Sequence, residues 1–94
     1  MIYRTQARII ADILSTTKKY DCDNSGIGVT AIIRKANLSH PRLIKILSDL
    51  VSSGLLEENI IGKVCRYKLS IKGEHFLSEY QRFQEFATSF GLVL

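Results

Sequence analysis

The residues best suited to chemistry form a polar group just after a predicted turn between two helices: Ser39, His40, Arg42 and Lys45. Short polar and basic side chains at the start of a helix can reach the base edges in the major groove of DNA. The planar guanidinium of Arg42 suits the two acceptors of guanine, whereas Lys45, a point charge, suits a phosphate. An ordinary solvated helix face has the same spacing, and Asp49 favours that interpretation because a carboxylate repels phosphates.

Catalytic and metal-binding chemistry finds little support. His40 and His75 are the two histidines, and neither lies at a recognised metal-ligand or nucleophile spacing from a cysteine or carboxylate. Cys22 and Cys65 are too few for a disulfide scaffold. Cys65 is predicted to be a small core residue, and Cys22, in a loop, is the more exposed site for oxidation. We therefore expect a protein that is not an enzyme, needs no cofactor or metal and works in a reducing compartment.

Apolar spacing places the polar group within a helix-turn-helix. It predicts helices over residues 4–19, 30–36 and 41–53, with a short strand at 27–29. Thr30 and Ser39 are suitable N-cap residues, and Asn37 tolerates the left-handed conformation that ends a helix. The predicted buried faces are Ala7, Ile10, Ala11 and Leu14, flanked by Ile9 and Ile13, in the first helix, and Leu43, Ile44, Leu47, Leu50 and Val51, flanked by Ile46, in the third.

Two extended runs, 55–60 and 64–69, flank Ile61-Gly62-Lys63 and predict a β-hairpin. Because side chains alternate along a strand, one face of the second run is apolar and the other is basic. Such basic side chains contact phosphates without reading sequence, although each is equally compatible with a solubilising role. The expected backbone contacts are Lys63, Arg66 and Lys68 in the hairpin, with Arg34 and Lys35 on the preceding helix.

Positive charge is concentrated in the first three quarters of the chain. Residues 1–72 carry twelve basic and six acidic side chains, net +6, whereas residues 73–94 carry one basic and three acidic side chains, net −2. This distribution suits a polyanionic partner. The 94 residues, 46% hydrophobic, are enough for one modest core. The sequence shows no signal-peptide or membrane-spanning pattern, so we expect a soluble cytoplasmic protein.

A last helix is predicted from Ile71 to about Phe90, with Ser70 as its cap and Gly73 as a weak point near its start. Phe76, Phe83 and Phe90 recur every seven residues, and Tyr80, Ala87 and Leu94 lie four after each, which is the alternating spacing of three and four that is typical of a coiled-coil seam. The alternative is that the helix packs back on its own domain. We favour a dimer interface, made of Phe76, Tyr80, Phe83, Phe86, Ala87, Phe90 and Leu94.

The runs KANLSHPRLIKILSDLVSSGLLEE and VCRYKLSIKGEHFLSEY resemble the small archaeal winged helix-turn-helix DNA-binding proteins. The resemblance implies an α+β fold, mainly α with a small antiparallel hairpin: a winged domain over residues 1–70 and a dimerising, antiparallel coiled-coil helix over 71–94. It further implies a homodimer that binds double-stranded DNA, associated with the nucleoid as a transcriptional regulator or a chromatin protein. A winged-helix module for protein–protein interaction, with an incidental basic face, is the alternative.

Overall fold

The computed structural model describes residues 6–21 and 26–92, which form four helices and a three-stranded antiparallel sheet. The elements are α1 (Gln6–Tyr20), β1 (Ile27–Gly28), α2 (Val29–Ala36), α3 (His40–Ser52), β2 (Leu56–Ile61), β3 (Val64–Leu69) and α4 (Ile71–Ser89). This order confirms the predicted α+β class. Cys22 and Leu94 lie outside the described residues. No helix in the described ranges is long and apolar enough to cross a membrane.

Helix α1 lies at the centre of the core and packs against α2, β3 and α4. Because neighbours surround it, its buried face is wide, and the prediction for this helix is partly wrong. Ile9 and Ile13 are buried, whereas Ala7 is exposed and Ile10 is only partly buried. The buried hydroxyl of Thr17 donates a hydrogen bond to the carbonyl of Ile13 at 2.8 Å, so this polar group is satisfied within its own helix.

Helix α3 packs through the spacing i, i+3, i+4, i+7, which puts its buried residues on one stripe: Leu43, Ile46, Leu47 and Leu50. Ile44 was predicted to be in this stripe and is instead 39% exposed. The sequence pattern is compatible with either residue, and the packing direction of α3 selects Ile46. The helix is therefore held by four aliphatic side chains and leaves its opposite face to solvent.

The turn between α2 and α3 forms as predicted, although its caps differ. Asn37 adopts the left-handed conformation (φ 55°, ψ 49°), and its N–H donates to the carbonyl of Ile33 at 3.3 Å. Ser39 occupies the N-cap position of α3 without a side-chain capping bond. Thr30 is not the N-cap of α2, because the helix begins at Val29 and Gly28, two residues before Thr30, takes the N-cap position.

The sheet has the strand order β1-β3-β2, so β3 is central. In the β2–β3 hairpin, hereafter the wing, Ile61 pairs with Val64 and the turn consists of Gly62 and Lys63 alone. The predicted three-residue connection was therefore one residue too long. Gly62, at the first turn position, has a positive φ (61°) and Lys63, at the second, does not, which is the pattern of a type II′ turn, whose twist matches that of the flanking strands.

The start of α4 is locked against the loop that follows α3. Ser70 caps the helix, since its Oγ accepts a hydrogen bond from the N–H of Gly73 at 2.9 Å and donates to the carbonyl of Gly54. The backbone N–H of Ser70 donates to the carbonyl of Leu55. A Cβ on Gly73 would overlap that carbonyl oxygen and approach Leu69 Cδ1 to 2.6 Å. Gly73 is therefore required for close packing, and its interpretation as a weak point was wrong.

Candidate nucleic-acid interface

The polar group predicted from the sequence lies together at the N-terminal end of α3. Ser39, His40, Arg42 and Lys45 are all exposed there. Arg42 and Lys45 are three residues apart, so their side chains are neighbours on the helix surface. Neither forms an ion pair with another described residue. Both cations are therefore available to a partner that approaches this end of α3.

The remaining solvent face of α3 is built from small side chains. Pro41, Ser48 and Ser52 are exposed, and helical geometry places them near the middle of the face opposite the buried stripe. Small residues at these positions allow a close approach of another surface to the helix. Asp49 lies seven residues after Arg42, about 10 Å farther along the axis, so its carboxylate is well separated from the basic end. Ser48 and Ser52 were not among the predicted site residues.

A second basic cluster lies where α1 and α2 end. The ammonium of Lys35 is 4.9 Å from the centroid of the Tyr20 ring, and that of Lys19 is 5.6 Å from the same centroid. Both distances are within the range of cation–π attraction. Arg34 is exposed next to Lys35. Lys19 was not among the predicted site residues, since nothing in the sequence indicates that the Tyr20 ring brings together lysines from two helices.

The three basic residues of the wing are in different environments. Lys63 is exposed at the turn. Lys68 is half-buried and directly opposite Glu57, so a carboxylate on the same face reduces its net effect. Arg66 donates a hydrogen bond from Nη1 to the carbonyl of Gly26 at 3.1 Å. Arg66 therefore contacts the segment that leads into β1, and Lys63 is the most accessible of the three.

The residues predicted for the dimer interface are divided between two environments. Phe76 and Tyr80 pack against the core of their own domain, so the alternative of intramolecular packing holds for the first half of α4. Phe83, Phe86 and Phe90 are more than half exposed, and the rings of Phe86 and Phe90 meet edge to face at 5.1 Å. The described part of the chain thus has an aromatic surface at the C-terminal end of α4.

That end of α4 is closed by backbone hydrogen bonds. The N–H of Leu92 donates to the carbonyl of Ala87 at 3.0 Å, and the N–H of Gly91 donates to that of Thr88 at 2.9 Å. These two bonds define a Schellman motif, which commonly brings the residue after the turn over the last helical turn. Ala87, also predicted for the interface, is buried, whereas Leu92 is exposed.

The described residues contain no cluster of three or more His, Cys, Asp or Glu side chains that could hold a metal ion. Among the residues that the structure describes, Tyr67 has a clearly perturbed pKa. Its burial, together with contacts of its hydroxyl to Cys65 and Glu58, holds the pKa of the phenol well above its usual value. A phenol that stays protonated in the hydrophobic core suits a structural role.

Comparisons with known proteins agree with this architecture. The family model of the winged helix-turn-helix matches residues 3–88. The crystal structure of Sso10a-2, a DNA-binding protein from Sulfolobus solfataricus, superposes with a TM-score of 0.77 at 23% identity over 93% of this chain and 85% of that chain. At this identity the likeness shows a shared fold. No curated protein matches the chain by sequence. The resemblance to small archaeal winged helix-turn-helix proteins is confirmed, and the chain belongs to the winged helix-turn-helix family.

Proposed function

We propose that the protein binds double-stranded DNA as a homodimer, with α3 in the major groove and the wing on the neighbouring backbone. The observation that carries this proposal is the exposed basic end of α3, where Arg42 and Lys45 project beside small side chains. Sso10a-2, which has the same fold, is described as a DNA-binding protein, and this supports the proposal.

The dimensions of α3 suit the major groove. The groove is about 12 Å wide and accepts a helix about 10–12 Å in diameter. Pro41 and Ser48 keep the outward face narrow, so the helix can approach the base pairs closely. Arg42 is then our choice for a guanine edge, which offers two acceptors to a guanidinium. Ser39 and His40 are placed for shorter contacts, and Lys45 for a phosphate.

The other basic residues fit backbone contacts, which position a protein without specifying sequence. Arg34, Lys35 and Lys19 lie at the ends of α1 and α2, and Lys63 lies at the wing turn. Lys68 contributes less to backbone binding because Glu57 is opposite it, and Arg66 contributes less because its guanidinium is hydrogen-bonded to the carbonyl of Gly26. With Lys45, about six phosphate contacts are expected, which corresponds to a log–log salt slope near −5 per protomer.

The dimer in this proposal forms through Phe83, Phe86 and Phe90. Contiguous exposed aromatic residues of this kind are uncommon on monomers and mark association surfaces. A second copy that covers the same patch would remove three rings from water and place two copies of α3 in one particle. Such a particle binds paired half-sites as a regulator, or bridges neighbouring duplexes as a chromatin protein.

A binding titration tests the DNA proposal. Replacing both Arg42 and Lys45 by Ala should weaken affinity for a duplex by roughly ten- to a hundredfold, because a base contact and a phosphate contact are lost. The matched control removes the same charge elsewhere, by Lys72→Ala with Arg82→Ala on α4. Equal loss in the control would move the site away from α3. A parent protein without salt-sensitive binding to any duplex at low ionic strength would refute the proposal.

The two biological roles are separated by competition. A chromatin protein should bind a pool of genomic fragments about as well as the region upstream of its own gene. A regulator should keep its preference for particular fragments when the non-specific competitor is raised a hundredfold or so, since specific affinities typically exceed non-specific ones by at least 10³.

Sedimentation tests the dimer. Phe83→Asp places a carboxylate in the aromatic surface and should convert a dimer into a monomer at micromolar concentration. Gln81→Asp, exposed on the same helix, is the matched control and should sediment as the parent does. A monomeric parent, or a Phe83→Asp variant that remains dimeric, would exclude this interface.

A protein-interaction module is the second candidate, and the exposed apolar side chains at the end of the wing, Ile60, Ile61 and Val64, favour it. A dimeric protein that is indifferent to DNA and binds a defined protein partner through the wing would support that function instead.

A further inference from the structure

The wing ends in an apolar tip, formed by Ile60, Ile61 and Val64. These side chains are 64%, 63% and 54% exposed. The strand register places Ile61 and Val64 opposite each other on the outer face of the hairpin, while Ile60 lies on the other face opposite Cys65. Both faces of the tip are therefore aliphatic, although alternation in a half-buried hairpin predicts polar residues on the outer face.

The tip extends past the support of the rest of the sheet. Strand β1 pairs with β3 at Tyr67 and Arg66, and the apolar residues lie beyond those pairs. The outer strand of the wing, β2, also carries Glu57 and Glu58 along its edge. Charged residues on an edge strand oppose pairing with a second sheet, so a second copy of this chain is a poor occupant for the tip.

The charges around the tip favour a polyanion as its occupant. Lys63 is exposed at the turn between Ile61 and Val64, whereas Glu57 and Glu58 lie at the other end of β2, so the charge at the tip itself is positive. A short aliphatic projection carrying a cation at its end is suited to a surface with negative charge outside and an apolar interior. The minor groove of duplex DNA has this character, because phosphates line its edges and stacked bases lie beneath.

We propose that the apolar wing tip enters the minor groove of bound DNA, partially unstacks one base step and bends the duplex. This inference rests on the proposed function. An undistorted minor groove is about 6 Å wide, whereas two paired strands are about 4.8 Å apart before side chains are added. The tip therefore requires a widened groove. Apolar side chains inserted at a base step widen it and bend the duplex by about 20–90°.

Sequence preference follows from this geometry. Pyrimidine–purine steps such as TA unstack easily, whereas A-tracts are stiff and have a narrow minor groove. Duplexes with a TA step under the wing should bind more tightly than duplexes with an A-tract at the same position. This preference arises from deformation and is independent of the contacts of Arg42.

The experiment measures the bend by energy transfer between dyes at the ends of a duplex with a central TA step. A variant with Ile60, Ile61 and Val64 all replaced by Thr keeps β-branched side chains, so strand propensity is retained. The parent should bend the duplex, and the triple variant should bind about tenfold more weakly, without bending, at an unchanged salt slope. Ile71→Thr, an exposed isoleucine on α4, is the matched control and should behave as the parent does.

A second readout uses the parent protein alone, so that the result does not depend on the stability of the variant. A fluorescent adenine analogue at the TA step should brighten on binding, because unstacking relieves its quenching. If the parent binds DNA without bending it and without an increase in the fluorescence of the adenine analogue, the insertion of the wing tip is refuted and the proposed function is left intact. A triple variant that bends DNA as the parent does, or that differs from the parent only in oligomeric state, would also overturn it. A parent that binds no duplex would overturn both.

Discussion

Gly73→Ala should destabilise the protein, contrary to helix propensity. In an exposed helix interior, replacing Gly by Ala stabilises by about 1 kcal/mol. Here the new Cβ would overlap the carbonyl oxygen of Leu55 and lie 2.6 Å from Leu69 Cδ1. The Leu55 carbonyl cannot easily retreat, because it accepts a hydrogen bond from the N–H of Ser70, and the N–H of Leu55 is held by Leu50 at 2.9 Å. The start of α4 must therefore move.

That movement has two costs. Inserting a methyl group into a packed region costs about 1–3 kcal/mol, and loss of the Ser70 cap on Gly73 costs roughly 1 kcal/mol. After the gain in propensity is subtracted, the free energy of unfolding should fall by about 1–3 kcal/mol. For a chain of this length, that corresponds to a decrease in Tm on the order of 10 °C.

Thermal unfolding followed by circular dichroism measures this change at fixed protein concentration. Gly28→Ser is the matched control, since a Cβ at Gly28 would meet nothing within 4 Å, its φ of −84° suits any residue, and serine is a favourable N-cap residue. Its Tm should stay within a few degrees of that of the parent. An unchanged or higher Tm for Gly73→Ala would refute the argument that close packing requires this glycine.

Two further stability predictions follow from single residues. Asn37→Ala should lower the free energy of unfolding, measured by urea denaturation, by about 1–2 kcal/mol, because φ is 55° at this position. Asn37→Gly should not lower it, because glycine adopts this conformation freely. Equal losses in the two variants would disprove backbone strain as the cause. Tyr67 has a raised pKa when folded, so above pH ~10 the unfolded chain loses a proton that the folded chain keeps. The free energy of unfolding should then fall more steeply with pH in the parent than in Tyr67→Phe, by up to about 1.4 kcal/mol per pH unit. Parallel plots of the free energy of unfolding against pH for the two proteins would contradict a raised pKa of Tyr67.

Local chemistry was sufficient to predict the turn before α3 and the start of α4. Asn37 tolerates the left-handed conformation for reasons contained in its own side chain, and Ser70 caps α4 through a bond to a residue three positions away. Both features depend on a few neighbouring residues, so they are visible in the sequence. The polar group of α3 was predicted for the same reason, since helical spacing alone puts Arg42 and Lys45 on one side.

Features that depend on distant residues were not predictable in this way. Gly73 was misinterpreted because the carbonyl that requires it belongs to Leu55, eighteen positions earlier in the chain. Ile46 rather than Ile44 is buried because the direction of packing fixes which edge of the stripe is covered. Arg66 was predicted to contact the DNA backbone, and its hydrogen bond to the carbonyl of Gly26, forty residues away, was not predicted. DNA contacts and dimer assembly remain predictions.

The central position of β3 gives the wing a gradient of local stability. Near Tyr67 and Arg66 the strand is hydrogen-bonded on both sides, whereas its beginning pairs with β2 alone. A two-stranded ribbon is only marginally stable by itself, so the residue pairs next to the wing turn open at a lower free energy than the core does. Amide hydrogens near Ile61 and Val64 should exchange earlier than those near Tyr67. The proposed interface therefore combines a rigid element, α3, with a flexible one, the end of the wing, whose twist can adjust to the bound duplex.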